Sequence, residues 1–312
     1  MDLSRTRLAR HGADLLLAGA VLAAAAPWLG RVSAKADLVA QFLIQGTLAT
    51  GLLLACLLAA RRPWRAGLAA LCLMVQLATL QWPMRSAFAA EPGGRALFVN
   101  LWVDNRSPER SLAFIRASGA DVVVLAEVIG DWIPALDGLA DLYPHRVDCL
   151  RFAGCDVVLL SRLPIADGRA KRDRTTGTPY VEARLRLGDR EVTVAGTHLV
   201  RPIRDGSLWH QLNQARYLAA RLDEVEGPKL LLGDLNAVSW GRVVHELDRL
   251  AGLRPVQGSI EGSWPAQLPW PLRIPIDQAI ASPELAAAIR HVGPELGSDH
   301  RPITVDLPPP LG

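Results

Sequence analysis

The chain has 312 residues, half of them hydrophobic, with a positive mean hydropathy and a formal net charge of +3. The hydrophobic share and the mean hydropathy are both high for a soluble protein, which directs attention to membrane segments. The +3 itself misleads: residues 1–90 hold nine Lys/Arg and three Asp/Glu, net +6, while residues 91–312 hold 25 and 28, net −3. An acidic second part is a poor start for tight binding to a nucleic-acid backbone.

In chain order, three long apolar runs come first, at about 13–29, 38–60 and 64–82. A membrane helix needs about 20 such residues, and Trp28, Trp64 and Trp82 stand at run ends, where an amphipathic ring suits the lipid–water boundary. Basic residues flank the runs: Arg5, Arg7 and Arg10 in the tail, Arg31 and Lys35 in the first loop, Arg61, Arg62 and Arg65 in the second. The positive-inside bias places the tail and second loop in the cytoplasm, so three crossings leave everything after residue 85 outside. A signal peptide ending at Ala34-Lys35-Ala36 would leave the later part on the same side. A cut near Ala87-Phe88-Ala89 would release it.

A short linker, EPGGR at 91–95, leads into the second part. ALFVNLWV (96–103) and DVVVLAEV (121–128) read as buried strands, and 107–119 reads as a helix with a capping Ser107, Pro108 in its first turn and a terminal glycine. Residues 131–141 suggest another helix. CDVVLLSR (155–162), YVEARLRL (180–187) and REVTVAGTHL (190–199) read as strands, the last two joined through Gly188-Asp189. Helices follow at 208–225 and 240–252, a strand at 228–236, a Pro- and Trp-rich loop at 255–275, and closing strands at 273–282 and 300–307. Cys149 and Cys155 bracket a polar turn, readable as a hairpin disulfide suited to an extracytoplasmic domain or as two free thiols. Cys56 and Cys72 fall in apolar runs, as packing residues. Two sets of strands with hairpins and crossovers predict a mixed α/β sandwich of two sheets covered by helices.

Polar residues recur where buried strands stop: Asn100, Glu127, His198, Asp234, Asn236, Asp277, Asp299 and His300. Each alone has a bland reading, such as an Asx turn at Asp234 and Asn236 or a hydrogen-bonded core histidine at His198. Together they point to one site, because strand ends are where α/β sheets build ligand sites and a buried charge needs a partner. Asn100, Glu127 and Asp299 offer hard oxygen ligands suited to Mg²⁺ or Mn²⁺. His198 and His300 can donate to a phosphoryl oxygen or handle a proton, and Asp277 can orient His300. Asp234 can position or deprotonate water, with the Asn236 amide on the phosphate. That set predicts metal-assisted hydrolysis of a phosphoester.

The pieces FVNLWVDN, DVVVLAEV, CDVVLLSR, GTHL, LLGDLNA, IPIDQAI and GSDHRPI, spread over residues 95–308, resemble the endonuclease/exonuclease/phosphatase superfamily in its order. GDLNA and GSDHRP are the specific pieces. The resemblance implies a four-layer α/β sandwich and a Mg²⁺-dependent phosphohydrolase, with metal bound by Glu127 near Asn100 and Asp299, and a His300–Asp277 pair. His198 matches the DNase and sphingomyelinase branch. The family usually has Gln before the metal glutamate, where this chain has Ala126, and many members follow the Asp277 position with His or Arg, where this chain has Gln278. The N-terminal runs are similar to those of a membrane-anchored subset. The expectation is thus a three-span membrane bundle in residues 1–90 and a catalytic domain in 91–312, held in the cell (inner) membrane and facing outward. The substrate is a lipid headgroup, a small phosphoester or, in a second reading, nucleic acid. Arg201, Arg204 and the basic stretch 168–174 are what a nuclease would use, and Trp264 and Trp270 could meet lipid. A non-catalytic membrane module is the third reading.

Overall fold

The computed structural model describes residues 3–80, 93–188, 190–203 and 206–308. Trp82, the stretch 87–89, the head of the 91–95 linker, Asp189 and Arg204 lie outside them. The chain divides into two compact units, an N-terminal helical one and a sandwich.

The helical unit contains α1 (Leu3–Gly30), α2 (Ala34–Ala40), α3 (Leu43–Ala59) and α4 (Pro63–Leu80). Small residues let these helices approach closely: Ala20, Ala24, Ala66 and Ala69 pack with Leu17, Leu53 and Leu57. Leu15, Leu16, Leu52, Leu71 and Met74 point outward and are exposed, the reverse of a water-soluble bundle. Buried Gln76 donates to Ala20 O and Thr50 Oγ1. Two helices, His11–Gly30 and Pro63–Leu80, are long and apolar enough to cross a membrane. The middle run departs from expectation. It is not one helix but α2 and α3, bent by 64°, so the candidate spans number two, or three if the bent pair is one span. Arg31 stacks on Trp28 and Arg65 on Trp64 at 4.5 and 4.4 Å, and both indoles are exposed. An aromatic ring beside a cation is what an interfacial anchor presents.

The sandwich begins with β1 (Gly94–Asn100), α5 (Pro108–Ala117), β2 (Val122–Ala126), α6 (Trp132–Ala135), β3 (His145–Asp148), β4 (Val158–Ser161) and β5 (Ile165–Arg172). It continues with β6 (Pro179–Leu187), β7 (Arg190–His198), α7 (Ser207–Asp223), β8 (Lys229–Asp234) and α8 (Arg242–Ala251). Last come β9 (Arg254–Pro255), β10 (Gln257–Gly258), β11 (Asp277–Ala281), β12 (Ile289–Val292) and β13 (Ile303–Leu307). One sheet runs β10-β12-β13-β1-β2-β4-β3 and the other β5-β6-β7-β8-β11-β9. Both are mixed, with β1–β2 and β7–β8 parallel.

The central strands read as continuous apolar runs because both of their faces are covered. In β1, Ala96 and Phe98 enter the core between the sheets, while Leu97 and Val99 pack outward with Ile115 of α5. In β8, Leu230 and Leu232 face the other sheet, and Leu231 faces Leu218 of α7 and Val243 of α8. The result is four layers, helix–sheet–sheet–helix.

Five strands escaped the sequence reading: β3, β5, β9, β10 and β12. β5, which overlaps the basic stretch 168–174, is an edge strand whose side chains are mostly exposed, with Arg169 paired to Asp167. Edge strands need no apolar alternation, so no pattern marked it. Short β3 and β12 likewise lack it. Ser107 occupies the helix-start position of α5, but its side chain makes no cap bond.

Cys149 and Cys155, in the β3–β4 turn, form a disulfide with Cα atoms 5.6 Å apart. Closing so short a loop stabilises by about 2 kcal/mol. Reduction, or the double Cys→Ser change at these positions, should lower the sandwich's melting temperature by roughly 5 °C. An unchanged melting curve under reductant would remove the bond from the stability account.

Candidate active site

The polar residues singled out in the sequence stand at one end of the sandwich. β1 and β2 run parallel and end on Asn100 and Ala126, just before Glu127. β7 and β8 run parallel, with His198 beside Asp234. β11 starts opposite, with Asp277 paired to Asp234. Gly233 is required here, since a Cβ would collide with Thr197 O. Four non-glycine residues with positive φ occur among the described ones. Three are here: Trp102 (58°), Glu127 (58°) and Asn236 (48°). Such backbone costs of order 1–3 kcal/mol and clusters at functional sites.

Asp234 is the hub. Its carboxylate is fully buried, and Oδ2 accepts from Asn100 Nδ2 at 3.2 Å. The same Oδ2 lies 3.8 Å from His198 Nε2 and 3.7 Å from His300 Nε2. Oδ1 accepts from Asn236 N at 2.8 Å, the Asx turn expected from GDLNA. Asn100 Nδ2 also donates to Glu127 Oε1 at 3.1 Å, and Val103 N donates to Glu127 Oε2 at 3.1 Å. His300 Nδ1 faces both Asp277 oxygens, at 2.9 and 3.1 Å. Asp299 Oδ1 lies 3.8 Å from His300 Nε2. The Asn236 side chain donates to Leu199 O at 2.8 Å, which fixes its amide plane. All eight residues are therefore brought into one neighbourhood.

Several contributors were not read from the sequence. Asp156 holds His198 Nδ1 at 2.8 Å, so His198 has the same carboxylate support as His300. It stands in CDVV, where it read as part of a strand. Only the antiparallel register of β2 and β4 brings it in, with Val128 N donating to Asp156 O. Trp264, considered for lipid contact, donates its indole N–H to Asp299 Oδ2 at 3.1 Å and is partly buried. It braces the site. Ala126 packs in the inter-sheet core, and buried Gln278 donates to Ala237 O and Pro275 O, pinning loops.

The electrostatics favour two imidazolium ions around one acid. Burial pulls the His198 pKa down, but Asp156, Asp234 and Glu127 outweigh it and raise it to about 9. Burial likewise opposes the His300 charge, yet Asp277, Asp234 and Asp299 hold it up at about 10. Burial pushes Asp234 above the usual carboxylate range, only partly offset by the two histidines. A histidine whose folded pKa is raised stabilises the fold fully below about pH 6.5 and ceases to as pH climbs through its folded value. With a chelator present, the melting temperature should fall between about pH 7 and pH 10, and fall less in Asp277→Asn. A flat profile in the wild type would contradict the two charged histidines.

The donors fit a divalent cation. Asp234, Asp277 and His300 each offer a ligand atom, all within 4.8 Å of one another, and could hold a metal ion. This trio differs from the set read from the sequence, Asn100, Glu127 and Asp299. The carboxylates of Glu127 and Asp299 adjoin it, and buried Asp299 Oδ1 has no hydrogen-bond partner. Asp277 already spends both oxygens on His300, and a hard cation prefers oxygen.

A sequence profile of the Endonuclease/Exonuclease/phosphatase family matches residues 97–300, roughly two thirds of the chain. The chain belongs to that family. Members are phosphoester hydrolases and commonly use Mg²⁺. No curated protein matches it in sequence. Among solved structures, sphingomyelinase C from Streptomyces griseocarneus aligns at 18% identity and a TM-score of 0.53, covering 69% of this chain and 99% of that one. The endonuclease/exonuclease/phosphatase from Beutenbergia cavernae aligns at 24% and 0.53, covering 70% and 73%. D. rerio TDP2, complexed with a single-strand DNA product, aligns at 16% and 0.56, covering 68% and 97%. At these identities the likeness concerns the fold.

Proposed function

We infer that this family member is a membrane-anchored, divalent-metal-dependent phosphoester hydrolase. Residues 1–90 would anchor it in the cell (inner) membrane, and residues 91–312 would act outside the cytoplasm. The observation that carries the reading is the buried Asp234 carboxylate between two carboxylate-braced histidines. Mg²⁺ or Mn²⁺ would be held by Glu127 and Asp299 with Asn100 and Asp234 alongside. When bound, the cation polarises a phosphoryl oxygen as a Lewis acid. Asp234 takes the proton of the attacking water as the oxygen–phosphorus bond forms. His300, steadied by Asp277, and His198, steadied by Asp156, donate to the phosphoryl oxygens, with Asn236 beside them. The leaving oxygen takes its proton from His198, whose side chain is 17% exposed against 1% for His300.

The test is hydrolysis by the full chain with Mg²⁺ of an aryl phosphodiester, plasmid DNA and sphingomyelin, beside Asp234→Ala and His300→Ala. Equal background rates in all three proteins would sink the enzymatic reading, and cleavage of DNA alone would turn it to a nuclease. Orientation has its own check. A reporter fused after residue 312 that fluoresces only in the cytoplasm should stay dark, and a bright fusion would reverse the topology.

A further inference from the structure

Nine large apolar side chains of the sandwich unit are exposed among the described residues, and eight of them sit at the site end. They include Val103 after β1, Ile129 after β2, Ile203 and Trp209 after β7, and Trp270 and Leu272 ahead of β11. Only Leu250, near the end of α8, lies elsewhere. An indifferent surface would divide such residues between the two ends. Four separate loops instead supply them at one end of the sandwich, and a clustered apolar rim marks an interaction surface.

Inside that rim stands a cation. Arg201 is 51% exposed, with Nη2 3.8 Å from Glu127 Oε1. Its backbone is pinned one residue earlier, because Val200 N donates to Gln214 Oε1 and Val200 O accepts from Gln211 Nε2. An exposed guanidinium beside Glu127 complements a phosphate, and the apolar rim complements the boundary of a hydrocarbon layer. A nucleic-acid backbone would want a track of cations instead. On these loops exposed Arg106 and Arg201 are matched by exposed Asp104 and Asp131, and exposed Arg172 and Arg174 flank the β5–β6 turn at the same end, with Asp173 between them. The same chain carries helices apolar enough to enter a bilayer.

We propose that the site end of the sandwich docks on a lipid bilayer through the apolar rim around Arg201, and that its substrate is the phosphoester headgroup of a bilayer lipid. The substrate half rests on the phosphoesterase reading. The docking half does not.

The test uses the full chain with Cys56 and Cys72 changed to Ser, reconstituted in phosphatidylcholine–phosphatidylserine vesicles. An environment-sensitive fluorophore is attached in turn to Ile203→Cys, Leu272→Cys and the control Leu250→Cys. Emission from the first two should shift to the blue and be quenched several-fold more than the control by brominated-acyl phosphatidylcholine. Equal, unquenched emission at all three positions would overturn docking. A blue shift without brominated-lipid quenching would mean a protein contact, such as a second copy, and would also overturn it. Loss of the shift on adding a single-stranded oligonucleotide would assign the face to nucleic acid. On the same vesicles, release of a labelled headgroup should show KM raised roughly tenfold or more in Arg201→Ala, the loss of one charge-assisted hydrogen bond. Hydrolysis of an aryl phosphodiester without any of the lipid would overturn the substrate half and leave the phosphoesterase reading standing. Hydrolysis of neither would sink that reading, while the fluorescence result still decides docking.

Discussion

Asp234→Asn should reduce kcat for phosphodiester hydrolysis by on the order of 10³–10⁴ and leave the protein folded. Asparagine keeps the shape and can still accept the Asn236 N–H through Oδ1, so the GDLNA turn survives. It cannot accept a proton from water. It also removes the one anion that both His198 and His300 approach with Nε2, at 3.8 and 3.7 Å. Burial holds the native carboxyl above its ordinary range, so its ionised form is costly, and replacing it should not lower the melting temperature by more than a few degrees. Stability spent on a buried charge and recovered by neutralising it is the pattern of a site selected for chemistry. Steady-state kinetics beside a thermal melt checks both halves. A variant with wild-type kcat would remove Asp234 from the reaction, and one that fails to fold would make it a structural residue.

Asp277→Asn should cost about 10²–10⁴ in kcat and move the basic limb of the pH–rate profile to lower pH. Asp277 accepts from His300 Nδ1, which directs Nε2 toward Asp234. An amide can turn its N–H toward the ring and favour the wrong tautomer. Burial already works against the His300 charge, and Asp277 is the foremost group opposing burial, so its removal lowers the imidazole's pKa. The direction follows: the charged form that exists up to about pH 10 in the wild type should give way at lower pH in the variant. Measured by NMR titration of the His300 ring beside kcat, the two shifts should agree. A drop in kcat without a shift would mean Asp277 acts only by packing. Asp156→Asn should repeat the effect on His198 more weakly, because that side chain is 17% exposed and water can replace part of what Asp156 supplies.

Much of the fold was legible in the order of residues. Strands β1, β2 and β8 carry apolar runs because helices cover one face of each and a second sheet the other. That pattern survives in one dimension. The eight site residues were legible for a related reason. A carboxylate, amide or imidazole ending such a run is conspicuous, since a buried polar group must have a partner. The edge strand β5 was not legible, because an exposed edge imposes no alternation on its side chains. The break between α2 and α3 was hidden because hydropathy records how apolar a run is and not where its backbone bends.

The sequence by itself marked, by type and position, the groups that meet at the candidate site: Asn100, Glu127, His198, Asp234, Asn236, Asp277, Asp299 and His300. Partnership was decided only by tertiary structure. Asp156 supports His198 across a register set by the β2–β4 pairing, and Trp264 reaches Asp299 from a loop that composition made look like a lipid anchor. The apolar rim around Arg201 likewise exists only because four loops distant in sequence end at the same face. Side-chain chemistry is local and can be read along the chain. The distances that turn it into a site depend on strand register and sheet packing, which no single segment contains.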